Sequence, residues 1–79
     1  APDAAPAKTT RVIKRSIVIA GHRTSVSLED AFWRTLKEIA AQNGVSLAAL
    51  VATVDAQRGD ANLSSALRVF TLERMRQAR

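Results

Sequence analysis

Residues 12–28 are rich in strand formers, Ile13, Ile17, Val18, Ile19, Thr24 and Val26, interrupted once at Gly21-His22. Taking Gly21-His22 as a two-residue loop with Gly first sets Ile19 against Thr24, Ile17 against Val26 and Arg15 against Leu28. One face then collects Ile17, Ile19, Thr24, Val26 and Leu28, and the other carries Lys14, Ser16, Val18, Ser25 and Ser27. This sorting predicts a ribbon with one apolar and one polar side. Two separate strands pairing with other chains would alternate in the same way, so an intrachain hairpin and an interchain ribbon both remain open.

After Leu28 the period changes from two to between three and four. Phe32, Trp33, Leu36, Ile39 and Ala40 define an amphipathic helix that Asn43-Gly44 stops, and Glu29 and Asp30 put negative charge in its first turn, where the helix dipole favours it. Ser46 is placed to cap a second helix with Leu47, Leu50, Val51 and Val54 on its apolar side, ending by Arg58-Gly59-Asp60. A third helix follows from a cap at Asn62 or Ser64. Its stripe of Leu63, Ala66, Leu67, Phe70 and Met75 is widened by Val69 and Leu72. The fold class expected is therefore mainly α with a short β ribbon, in the order ribbon, helix, helix, helix. Residues 1–11, rich in Ala and Pro and without a large apolar side chain, are expected to be a flexible tail ahead of a single domain over 12–79. A start of this composition follows a removed Met or a cleaved leader equally well.

Composition narrows what such a chain does. Its 79 residues make at most one domain, with too little core for comfort unless something staples it. There is no Cys and only one His, which removes disulfides, thiolate zinc sites and a Cys nucleophile, and oligomerisation is the staple that remains. The longest apolar stretches, within residues 16–20 and 47–54, fall far short of the roughly 20 residues of a membrane span. A soluble, cytoplasmic protein without a membrane partner is expected.

The net charge of +5 favours an anionic partner, and its distribution is sharper than its total. Residues 1–28 carry a net of +4 from Lys8, Arg11, Lys14, Arg15 and Arg23 against Asp3, residues 29–60 a net of −2, and residues 61–79 a net of +3. Catalysis finds no support: His22 lies in the expected turn with Ser25 and Ser27 nearby but no orienting third group, and the carboxylates lack metal-loop spacing. No catalytic residue, metal or cofactor is expected.

The run Arg23-Thr24-Ser25-Val26-Ser27-Leu28, the helix after it, Gly44-Val45-Ser46 and the helix from Leu47 together resemble the ribbon-helix-helix family of bacterial DNA-binding proteins. The resemblance extends over Lys14-Arg15-Ser16 and over Asn62-Leu63-Ser64-Ser65-Ala66-Leu67-Arg68, which are similar to a small bacterial subgroup with an added C-terminal helix. It implies an intertwined homodimer and a transcriptional regulator that places its ribbon in the major groove of double-stranded DNA. Carried over by position, Arg23, Ser25 and Ser27 would meet base edges. Ser46 and Leu47 would grip a phosphate, with Lys14, Arg15 and His22, and Lys8 and Arg11 from the tail, adding phosphate contacts. Val26, Leu28, Phe32, Trp33, Leu36, Leu50 and Val54 would form the dimer core. A second expectation, of another class, is an antitoxin-like or adaptor module whose protein partner docks on Leu63, Leu67, Phe70 and Met75. Alternatively, Arg23, Ser25 and Ser27 are only the wet face of a sheet, and Lys14 and Arg15 are charges guarding an edge strand.

Overall fold

A computed structural model describes residues 10–77. The chain runs through β1 (Val12–Ile19), β2 (His22–Glu29), α1 (Asp30–Gln42), α2 (Leu47–Gln57) and α3 (Leu63–Gln77). β1 and β2 form a two-stranded antiparallel hairpin, so the ribbon is made within one chain.

The turn of that hairpin corrects the expected register. Ala20 and Gly21, not Gly21 and His22, occupy the two loop positions, both with positive φ (51° and 83°), the signature of a type I′ turn. Ile19 therefore pairs with His22, Ile17 with Thr24, Arg15 with Val26 and Ile13 with Leu28. The slip amounts to two residues, and because side chains alternate with period two, every residue keeps its expected face. His22 opens β2 instead of sitting in the turn.

Each helix begins and ends as its local chemistry dictates. α1 follows directly from β2 through Glu29, whose backbone is extended and whose side chain makes no cap bond. Asn43 closes it by donating from Nδ2 to the Ile39 carbonyl at 2.8 Å, and Gly44 at φ +68° turns the chain away so that the Val45 amide reaches back to the Ala40 carbonyl. The Ser46 hydroxyl accepts from the Ala49 amide at 3.0 Å to cap α2. Asn62 Oδ1 does the same for the Ser65 amide at 2.8 Å, which settles the cap of α3 on Asn62.

The core draws on all five elements. Ile19, Val26 and Leu28 from the hairpin meet Leu36, Ile39 and Ala40 of α1, Leu50, Val51 and Val54 of α2, and Leu63 and Leu67 of α3. Val26, Leu28, Leu36, Leu50 and Val54, expected to wait for a second copy, are thus buried within one chain. Phe32 and Trp33 are half-buried against the same cluster. One strand and two helices would have left the cluster open; β1 and α3 supply the missing walls. Arg11, assigned to the tail on composition, accepts the Asp30 amide on its carbonyl at 3.0 Å and so extends the hairpin by one bonded pair. Residues 1–9 of the expected tail, Lys8 included, lie outside the described residues. No single helix among the described residues is long and apolar enough to cross a membrane.

Candidate nucleic-acid interface

The hairpin has an inner face against the helices and an outer face that carries Val12, Lys14, Ser16 and Val18 from β1 and Arg23, Ser25, Ser27 and Glu29 from β2. Across the ribbon Lys14 stands opposite Ser27, Ser16 opposite Ser25 and Val18 opposite Arg23. The Ser27 amide points away from β1 and donates to Ser64 Oγ of α3 at 3.3 Å. Lys14 and Ser27 are therefore a pair without mutual backbone bonds, and so, by alternation, are the other two. Such pairs bring the chains closest, with Cα atoms about 4.5 Å apart and side chains in contact range. Lys14, Ser16, Val18, Arg23 and Ser25 are exposed and Ser27 is half-buried beside α3.

Charge on this face is set by which cations are already paired. Arg15 and Arg34 share Asp30, Arg58 holds Asp55, Arg76 holds Glu73 and Arg68 holds Glu29. Among the described residues neither Lys14 nor Arg23 has a carboxylate partner. Glu29, the one acid on the outer face, accepts from Arg68 Nε at 2.9 Å and Nη2 at 3.5 Å. The Arg68 guanidinium, and after it Glu29's own backbone amide, hold this carboxyl below the usual range despite some desolvation. The outer face thus presents two unneutralised cations flanking Ser16 and Ser25, with its acid end cancelled.

The expected phosphate ligands are distributed differently. Arg15 lies on the inner face, which corrects its assignment: its guanidinium stacks 4.6 Å from the Trp33 ring centroid and donates from Nη2 to Asp30 Oδ1 at 2.9 Å. Parity with Ile13 and Ile17 carries that placement in the sequence itself. Lys14 is on the outer face, and His22 is exposed at the hairpin tip. The Ser46 hydroxyl accepts the Ala49 amide and keeps its own O–H to donate beside the first-turn amides of α2, and Leu47 packs partly into the core. Trp33 is the anchor under Arg15.

The expected partner stripe on α3 is also divided. Leu63 and Leu67 are in the core and Phe70 packs against it, while Met75 and its neighbours Val69 and Leu72 are at least half exposed. Together with Ala31, Phe32 and Thr35 of α1 they line a shallow apolar groove of about 390 Å³. Ser64 and Arg68, whose sequence positions gave no sign of this role, join α3 to β2. Among the described residues no group of three or more His, Cys, Asp or Glu side chains is placed to hold a metal.

The ribbon-helix-helix domain model matches residues 12–75. The chain is also similar to an uncharacterized protein from Bordetella pertussis Tohama I, with 36% identity and a TM-score of 0.73, over 91% of this chain and 62% of that one. It spans less than two thirds of that protein's length. No curated protein matches.

Proposed function

Because this chain belongs to the ribbon-helix-helix domain family, whose members are in general non-enzymatic, DNA-binding and dimeric, we propose that it binds double-stranded DNA sequence-specifically as a homodimer and regulates transcription. The outer face of the ribbon is the reading surface. The observation that carries this is the pair of cations without a carboxylate partner among the described residues, Lys14 and Arg23, on an exposed and otherwise mostly polar face whose single carboxylate is neutralised by Arg68. A two-stranded ribbon fits a major groove about 12 Å wide. Arg23 is suited to bidentate bonding of guanine, Ser25 and Ser27 to short bonds with base edges, and Lys14, Arg11 and His22 to phosphates, with the α2 amides at Leu47 adding a dipole-assisted contact. Two copies about a twofold would read a pseudo-palindrome.

Fluorescence-anisotropy titration against specific and random duplexes tests this reading: tight, steeply salt-dependent binding is expected, and no duplex binding even at low salt overturns it.

One observation favours a second reading. The apolar groove between α1 and α3 offers Val69, Leu72 and Met75 to a protein partner, in an adaptor or antitoxin-like role. Since Leu63 and Leu67 are buried in the core, such a partner would dock on the exposed side chains of α3.

A further inference from the structure

We propose that β1 reads bases together with β2, and that Val18 is a specificity-determining residue that meets the C5 methyl of a thymine next to the guanine read by Arg23. This rests on duplex binding by the outer face and goes one step further, because the base-reading positions are otherwise confined to β2.

Three observations place β1 in the groove. First, Val18 stands directly opposite Arg23, in one of the closely spaced pairs of the ribbon, so a base pair within reach of one side chain is within reach of the other. Second, Val18 is 55% exposed, on the face that bears Lys14 and Arg23, and is not part of the buried core. A single exposed Val is ordinary; its place opposite Arg23, next to the hairpin tip, is what counts. Its β-branched side chain holds its methyl groups in one orientation, which a contact to a fixed methyl group requires.

Third, α3 lies against the C-terminal end of the far edge of β2. The Ser27 amide is taken by Ser64 Oγ, and Arg68 is forked onto Glu29, so one turn of α3 lies along the last residues of β2. Within one chain the strand paired along the whole length of β2 is β1. Side chains of β1 enter with those of β2.

The chemistry of the groove completes the pairing. The thymine methyl is the one apolar feature on its floor, and guanine offers two acceptors to a guanidinium. Val18 beside Arg23 matches a thymine beside a guanine. Lys14, two pairs further along, keeps the face cationic enough to approach phosphates.

The test selects preferred sites from a random duplex library with the full chain, then replaces the thymine next to the selected guanine by uracil, which lacks only the methyl. Wild type is expected to bind the uracil duplex about fourfold more weakly, the size of one methyl's apolar contact. Val18→Ala should bind both duplexes alike, keep its guanine preference and melt at the wild-type temperature. Arg23→Ala should lose the guanine preference and keep the thymine-over-uracil ratio. A thymine preference that survives in Val18→Ala, or one that wild type never shows, overturns the proposal while leaving duplex binding intact. Failure of wild type to bind any duplex overturns the reading beneath it as well.

Discussion

Arg68 Nε lies 2.9 Å from Glu29 Oε1, joining residues 39 positions apart and fixing α3 to the end of β2. The contact lowers the Glu29 pKa from its ordinary 4.5, mainly through the Arg68 hydrogen bond. A carboxyl held lower in the folded state than in the unfolded one stabilises the fold fully above the unfolded value, and loses that contribution as pH falls through the folded one. The stability gap between wild type and Glu29→Gln should therefore be widest near neutral pH and close on acidification below 4.5. Urea denaturation of both proteins across this range checks it. A gap that stays constant at the acid end would show that the charge on Glu29 is not what holds α3.

Arg15 is expected to matter for stability and not for DNA. Its guanidinium is stacked on Trp33 and bonded to Asp30, with most of the side chain covered. Arg15→Ala should cost about 1–2 kcal/mol, combining a charge-assisted hydrogen bond with a cation–π contact. Arg15→Lys should recover only part of this, since an ammonium neither forks nor stacks as a guanidinium does. Thermal denaturation measures the loss. Duplex affinity of the folded variant should match wild type.

The turn offers a gain. Ala20 is held at φ 51°, a conformation that costs an L-residue other than Gly, Asn or Asp roughly 1 kcal/mol. Ala20→Asn creates Asn-Gly, the preferred type I′ pair, and should stabilise the chain by about 0.5–1 kcal/mol. An unchanged or lower melting temperature would mean that the hairpin does not turn at Ala20-Gly21.

That turn also shows what was legible in the sequence. Helices α1, α2 and α3 follow from spacing and caps that lie within a few residues of one another, so local pattern sufficed. The two faces of the ribbon were legible for the same reason, but the register was not. A loop at Gly21-His22 and one at Ala20-Gly21 sort the side chains identically, and the strain at Ala20 weighs against the turn the chain adopts. Arg15 was legible by parity, as it alternates with Ile13 and Ile17, although its charge suggested the wet side. The Glu29–Arg68 and Ser27–Ser64 contacts had no local signature. They arise only once α3 folds back along β2. The closing of the core within one chain depends on the same return of α3, together with the pairing of β1.

Lys14 and Arg23 should separate affinity from specificity. Lys14→Ala is expected to weaken binding to all duplexes alike and to reduce the salt slope by about one unit, the effect of one lost phosphate contact. Arg23→Ala should relax preference at one base position, costing about 1–3 kcal/mol against the selected site. Anisotropy titrations over a salt series give both quantities. Identical behaviour of the two variants would remove the distinction between them.

The most direct measurement of the central claim is a backbone-amide NMR titration of the chain with its selected duplex. The largest shifts are expected along the outer face of the hairpin, at Lys14, Ser16, Val18, Arg23 and Ser25, with smaller ones at the start of α2 and little change around Val69, Leu72 and Met75. Shifts concentrated on α3 with the hairpin unmoved would contradict the claim that this ribbon is the surface that reads DNA.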